Sequence, residues 1–358
     1  MTTTAKLLFV LASASVVGVG CATAPEGGGD TGGGGAGGGG GGGGGDGGGS
    51  GGGGAQPLDA TGSYGMQSTF DLSSNMPGAV GDVVNQFIDA TDGPNDPTQW
   101  LMDLIIQQIS NSTIKSLLSA GEPLVVGYLN QQVLSWAPDF VTTFVRIGND
   151  FGDMAKHTGL SSTLAVTKSG SGYTSVHTVT GARFVVEGTA KDFAFKDYGV
   201  QNVVVPDVAV TCDLSGNFGL AEQQVPVAYG AVLHMGLDGA IIPLVDSNAA
   251  DLQTLLADKI DCAVVGQDIA DKIGIGDASL YAGACTAGLN AGAAYIYSKI
   301  DGIDSSVMQF DMSGAATASD TTGDGKVDTI AAGAWSGTLS YAGTPAPLST
   351  ATFTGARQ

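Results

Sequence analysis

The chain has 358 residues, 43 % of them apolar, and a formal net charge of −21 from 34 acids against 13 basic residues. A field of that sign repels nucleic acid and anionic lipid, and the three arginines (Arg146, Arg183 and Arg357) are too few for a basic groove. No segment after the leader approaches the ~18 apolar residues that a membrane-spanning helix requires.

Residues 1–20 carry one cation, Lys6, then the apolar run 7–17, then Gly18-Val19-Gly20 directly ahead of Cys21. A positive end, an apolar run of ~7–15 residues and small residues at a cut site are the layout of a signal peptide. The segment resembles the lipobox of bacterial lipoproteins, with Gly18 standing where that family usually has Leu. The resemblance implies that Cys21 becomes the acylated, palmitate-bearing first residue of the mature protein. Residues 21–26 are then a lipidated N-terminus, and the membrane is a partner through that anchor. Ala22 follows the cysteine where an Asp would imply inner-membrane retention, so the resemblance implies an outer-membrane lipoprotein.

Residues 27–60 read as a linker. The tract 27–54 holds 23 glycines in 28 residues, interrupted by Asp30, Thr31, Ala36, Asp46 and Ser50. Glycine has no side chain to bury and loses the most backbone freedom on ordering, so this stretch builds no core. As a random coil it spans roughly 30 Å, and fully extended it reaches about 95 Å.

The remainder, 61–358, reads as one globular domain. Residues 61–72 alternate, with Tyr64, Met66, Phe70 and Leu72 on one side, as in a half-buried strand. Asp96-Pro97 starts a helix whose apolar residues (Trp100, Leu101, Leu104, Ile105, Ile109) recur up to Gly121. Pro123 and Pro138 restart it, giving expected helices 124–136 and 139–155. After Gly159 the period returns to two. Residues 203–214 form a strand with a bulge at Pro206, and 225–237 place seven apolar residues at alternate positions, which reads as another strand. A second helical block follows over 249–273 and 278–300, joined by a turn at 274–277. Strands resume at 307–318, 326–341 and 348–355, the last two joined through Pro345 and Pro347.

Runs of strands and runs of helices in this order predict an α+β fold: a long-stranded, antiparallel, barrel-like sheet packed on two helical blocks. Since the first and last segments are both strands, the sheet is expected to close or pair its ends. In element order and strand length, residues 61–355 loosely resemble the tubular lipid-binding superfamily. That resemblance implies a long helix inside a bent sheet with an acyl chain between them.

Cys212, Cys262 and Cys285 remain once Cys21 carries lipid. If the second helical block is an antiparallel hairpin, Cys262 and Cys285 lie at similar heights on either side of its turn, and a disulfide is expected between them. Cys212 lies on the apolar side of its strand and reads as a buried thiol. Asp320-Thr321-Thr322-Gly323-Asp324-Gly325-Lys326-Val327-Asp328 has acids at relative positions 1, 5 and 9 and glycine at 6, the pattern of a short calcium loop. Its candidate ligands are Asp320, Thr322, Asp324, the Lys326 carbonyl and Asp328. Ala331 stands where a bidentate Glu belongs, and the competing reading is a hairpin turn with solvated acids.

No cofactor other than calcium is suggested. His157, His177 and His234 are scattered, and no nucleophile elbow, zinc or phosphate-loop motif occurs. The sequence therefore reads as a non-enzymatic, membrane-anchored envelope lipoprotein. Its domain is expected to bind a lipid or other hydrophobic ligand in a cavity between sheet and helices. The alternatives are a surface module that binds protein or glycan, or an enzyme with an unfamiliar site.

Overall fold

The computed structural model describes residues 57–358 apart from Pro77, residues 90–95, Ala137 and Glu187. The leader, Cys21 and the glycine tract lie outside the described residues.

Chain order is β1 (Gly62–Asp71), α1 (Gly78–Asp89), α2 (Asp96–Gln108), α3 (Ser112–Trp136), α4 (Pro138–Lys156), β2 (His157–Ser169), β3 (Gly172–Val186), β4 (Thr189–Ala194), β5 (Val203–Cys212) and β6 (Asn217–Val227). It continues with α5 (Tyr229–Gly236), a π-helical turn Leu237–Ile241, α6 (Ile242–Val245), α7 (Leu252–Lys259), α8 (Cys262–Ile273), α9 (Ala278–Gly302), β7 (Met308–Ser319), β8 (Thr329–Tyr341), β9 (Thr344–Pro347) and β10 (Thr350–Arg357). Eight of the strands close into an antiparallel barrel in the order β10-β1-β2-β3-β5-β6-β7-β8, and β8 returns to β10. β1 and β10 pair from Tyr64↔Arg357 to Asp71↔Thr350, so the expected joining of first and last strands is the closure itself. β4 lies on β3 and β9 on β8 as short additions.

The barrel closes because each strand presents apolar residues in one phase and polar residues in the other. Tyr64, Met66, Phe70, Leu160, Leu164, Phe218, Phe310, Met312, Trp335 and Phe353 are buried inside. Gln67, Thr69, Thr352 and Thr354 point outward and are exposed. An eight-stranded barrel has an interior just wide enough for side chains to fill. Each aromatic or aliphatic side chain buried there contributes about 1.5–3 kcal/mol.

Both helical blocks leave and re-enter the barrel at one end, between β1 and β2 and between β6 and β7, and together form a cap. There Leu72 N donates to Lys156 O (2.7 Å), Tyr229 OH to Ala155 O (2.5 Å) and Tyr341 OH to Ile303 O (2.8 Å). Within the cap α9 packs on α2, α5, α7 and α8. Close approach to α2 requires glycine: a Cβ at Gly292 would lie 2.6 Å from both Leu104 Cδ1 and Trp100 Cζ2. The helices thus cover an end of the sheet, whereas the tubular lipid-binding resemblance placed a helix inside it. Among the described residues no helix is long and apolar enough to cross a membrane.

The opposite end carries the turns between β2 and β3, β5 and β6, and β7 and β8, together with residues 57–60. Val327 is buried there, with its carbonyl accepting from Arg357 Nε (2.7 Å) and Tyr64 OH (3.3 Å). Asp59 bridges to Lys326 in a parallel bridge. The chain therefore enters the domain at the end away from the helices.

Several boundaries differ from the sequence reading. The alternating stretch 225–237 is a strand only to Val227; Tyr229–Gly236 is helix α5. That helix is buried nearly all round, and its two residues outside the core, Ala231 and His234, are three apart on one helical face. Its apolar alternation therefore mimics a strand. The first block breaks at Asn111, whose Oδ1 accepts from Thr113 N (3.0 Å) and Ile114 N (3.2 Å), and α3 continues through Pro123. The 249–273 helix divides where Asp261 caps α8, accepting from Ala263 N (2.9 Å) and Val264 N (3.3 Å). The bulge in β5 is present: Asp207 has φ 59° and the ladder to β3 shifts there. Pro345 and Pro347 fall in edge strand β9, the position in a sheet where missing donors cost least.

Candidate functional site

Inside the barrel polar side chains interrupt the apolar phase, and three of them, Ser162, His177 and Gln223, bond to one another. His177 Nδ1 lies 2.8 Å from Gln223 Oε1 and its Nε2 lies 2.8 Å from Ser162 Oγ. Gln223 Oε1 can only accept, which places the proton on Nδ1 and leaves Nε2 to accept from the Ser162 hydroxyl. Trp335 stacks over His177 at 6.2 Å and donates from Nε1 to Ser68 Oγ (3.1 Å). Serine, imidazole and an orienting acceptor stand in the order of a nucleophilic relay. Two facts argue against that use. A neutral amide stabilises an imidazolium less than a carboxylate does, and burial pushes the His177 pKa below its ordinary value despite the Gln223 hydrogen bond. The residues are also 2–5 % exposed. The array is an uncharged pin joining β2, β3 and β6, with Gln223 Nε2 left buried without a protein partner.

A second cluster lies in the cap. His234 sits on α5, in the stretch 225–237 that reads as a strand in the sequence. Its Nε2 faces Asp238 Oδ2 (3.3 Å) and its Nδ1 faces Asp301 Oδ1 (2.9 Å). Hydrogen bonding to Asp238, then to Asp301, raises its pKa to about 9 against the opposing effect of burial. Tyr297 stacks on the ring at 4.4 Å, donates to Asp238 Oδ1 (2.6 Å) and accepts from Leu252 N (2.8 Å). With both ring nitrogens donating, no lone pair remains for base or metal chemistry. His234 bolts α5 and the π-turn to α9.

The remaining residues singled out in the sequence fall as follows. Cys262 and Cys285 are bonded, with Cα atoms 5.5 Å apart, across the α8–α9 hairpin. Cys212 is free and half-buried, and burial raises its thiol pKa. In the 320–328 loop, Asp320 accepts from Gly323 N (2.6 Å) and Gly325 N (2.7 Å), which hold its pKa down. Asp328 accepts from Thr321 N (2.8 Å) and Thr322 N (2.9 Å) and faces Arg357 Nε at 3.9 Å. Thr322 also donates its hydroxyl to Asp328 (3.0 Å), and Lys326 Nζ lies 4.0 Å from Asp324. Among the described residues no group of three or more His, Cys, Asp or Glu is placed to hold a metal ion.

The groove that the sequence did not indicate lies on the outer face of the barrel. One cavity of about 510 Å³ is bounded by Asp192, Phe193, Lys196, Asp197 and Asn202 over a floor of Ser161, Thr180 and Gly181. A second, of about 560 Å³, extends across β1 and β10 past Gln67, Thr163, Thr354 and Gln358. The two share Ser161, Thr180 and Asp192 and form one trough. One side of it is β4, paired with β3, and the 3-10 turn Phe195–Tyr198 that follows. Glycine at 181 lets β4 approach, since a Cβ there would meet Phe193 O at 2.3 Å. Arg183 pairs with Asp192 at 3.5 Å and holds that wall to β3. These residues come from β1, the stretch 161–202 and β10, so no local motif announces them. The interior pin did leave a signal: Ser162, His177 and Gln223 are polar residues in the inward phase of alternating strands. Comparison with protein-family models, with curated proteins and with solved structures gives no match.

Proposed function

We propose that the protein is a binding module tethered to the bacterial cell envelope, and that its ligand lies in the groove outside the barrel. The observation that carries this reading is the contrast between the two faces of the sheet. The inward phase is occupied by Phe70, Phe218, Phe310, Trp335 and Phe353, which leaves no room for a ligand inside the barrel. The outward phase carries two joined cavities with polar groups on both walls. Their volumes fall in the ~300–1,000 Å³ range of ligand sites, and both are open to solvent with mixed polar and apolar lining. The anchor rests on the leader and Cys21.

A photoreactive residue placed at Thr180, on the groove floor, should crosslink a partner in intact cells, while one at Gln309, on β7, should not. Equal capture at both positions, or none at either, overturns the groove. Native mass spectrometry showing stoichiometric lipid inside the domain would replace it with the cavity reading. For the anchor, Cys21→Ser should abolish palmitate labelling and release the protein from the membrane fraction; labelling equal to wild type overturns it.

A further inference from the structure

We infer that the barrel opens at the seam between β5 and β6, and that the hydrogen bond from His177 to Gln223 is the latch that holds this seam shut. The ladder between the two strands has three pairs, from Val210↔Leu220 to Cys212↔Phe218 beside their turn, although the strands are 10 and 11 residues long. Every other ladder of the barrel has more, up to the eleven pairs of β2–β3 and of β7–β8.

Both strands leave regular pairing where the ladder stops. Asp207 has φ 59° in β5, and β6 shifts register against β7 between Leu220 and Gln223. Bulges of this kind end pairing and leave main-chain groups without a rung. Pro206 and Pro226 add positions with no N–H to donate. The wall is correspondingly thin. Val203 and Val205 pair with the buried Val179 and His177 and so share the inward phase, yet they are only half-buried, whereas Val208 and Val210 past the bulge are buried. Behind the seam the side chain of His177, on β3, reaches past β5 to Gln223 Oε1 on β6 at 2.8 Å. Gln223 Nε2 is buried without a protein partner, so that amide is held through Oε1. Local opening draws on regions with few main-chain bonds, and parting β5 from β6 breaks few rungs and this one side-chain bond.

Opening would uncover His177, which is 2 % exposed in the closed barrel. The test treats the full-length protein in detergent with diethyl pyrocarbonate and reads each histidine by peptide mass spectrometry, with the exposed His157 as reference. His177 should react, more slowly than His157. A disulfide across the seam, from Ala209→Cys with Ala221→Cys in a Cys212→Ser background, should slow His177 by about tenfold or more. Reductant should restore the rate, with wild type in the same reductant as control. A bridge across β1 and β10, from Thr69→Cys with Thr352→Cys, joins a pair already in register and should leave the rate within about twofold. No reaction at His177, a rate untouched by the seam bridge, or equal slowing by both bridges overturns the inference. If the bridged variants fail to fold, hydrogen exchange of wild type and of Gln223→Met decides. Amides of 203–209 and 221–227 should exchange ahead of those of β1 and β2, and the variant should speed the seam by about tenfold with β1 and β2 unchanged. Equal protection across these strands, or acceleration spread evenly over them, overturns it.

Discussion

The barrel and the helical cap each hold one histidine at a junction of several elements, and they hold it in opposite protonation states. His177 is enclosed by a hydroxyl, an amide and an indole, so burial keeps it neutral. His234 is half-exposed between two carboxylates, so its charge is retained to about pH 9. The comparison separates two ways of fixing a core. An uncharged network fails when any member is removed, because its partners stay buried. An ionic bolt at the surface fails when its charge is removed, and water takes over its partners.

The largest expected effect is therefore in the barrel. His177→Ala leaves Ser162 and Gln223 unpaired beside a cavity and should cost about 3–4 kcal/mol, measured as a shift in the denaturation midpoint. Because the folded pKa of His177 lies below its unfolded value, its contribution is present above about pH 6.5 and fades as pH falls towards the folded value. In the variant that acid-side slope should vanish; an unchanged slope would show that His177 is not the group responsible.

Next comes the cap. Replacing Cys262 and Cys285 by Ala removes a crosslink worth about 3 kcal/mol for a loop of this length in the chain-entropy model. Hydrogen exchange should accelerate in α8 and α9 before it does in β1 and β10. Uniform acceleration would mean that barrel and cap unfold as one unit.

His234→Gln should cost roughly 1–2 kcal/mol at pH 6, allowing for solvent screening of this partly exposed group. Its folded pKa of about 9 lies above the ordinary value, so the contribution is full below about pH 6.5 and is lost as pH rises through 9. Wild type and variant should converge in stability above that pH; a constant gap would assign the loss to packing on Tyr297. The smallest effect concerns the 320–328 loop. Its acids already accept backbone N–H groups or face Lys326 and Arg357. Millimolar calcium should accordingly leave the melting temperature unchanged in wild type and in Asp324→Ala alike. A rise confined to wild type would restore the calcium pattern read from the sequence.

The barrel was legible because period-two alternation over long strands reports one buried face, and because β1 and β10 stand at the two ends of the domain. The disulfide was legible because a short turn forces two helices side by side. What misled was burial on all sides: in α5 the apolar residues no longer mark a face, so a strand period arises by chance. Asn111 and Asp261 were overlooked as caps because the apolar rhythm continues across both. The groove escaped because its walls meet only after β4 folds back on β3.

The placement of residues 57–60 also has a mechanical consequence. Tension on the preceding chain enters at the start of β1, which is held on one side by β2 and on the other by β10. On the proposed reading, a load between that point and a ligand held on the outer face acts along the strand axis. The rungs of both ladders then resist together in shear instead of parting one by one. A tether at Cys21 would thus load the barrel from the end away from the helices.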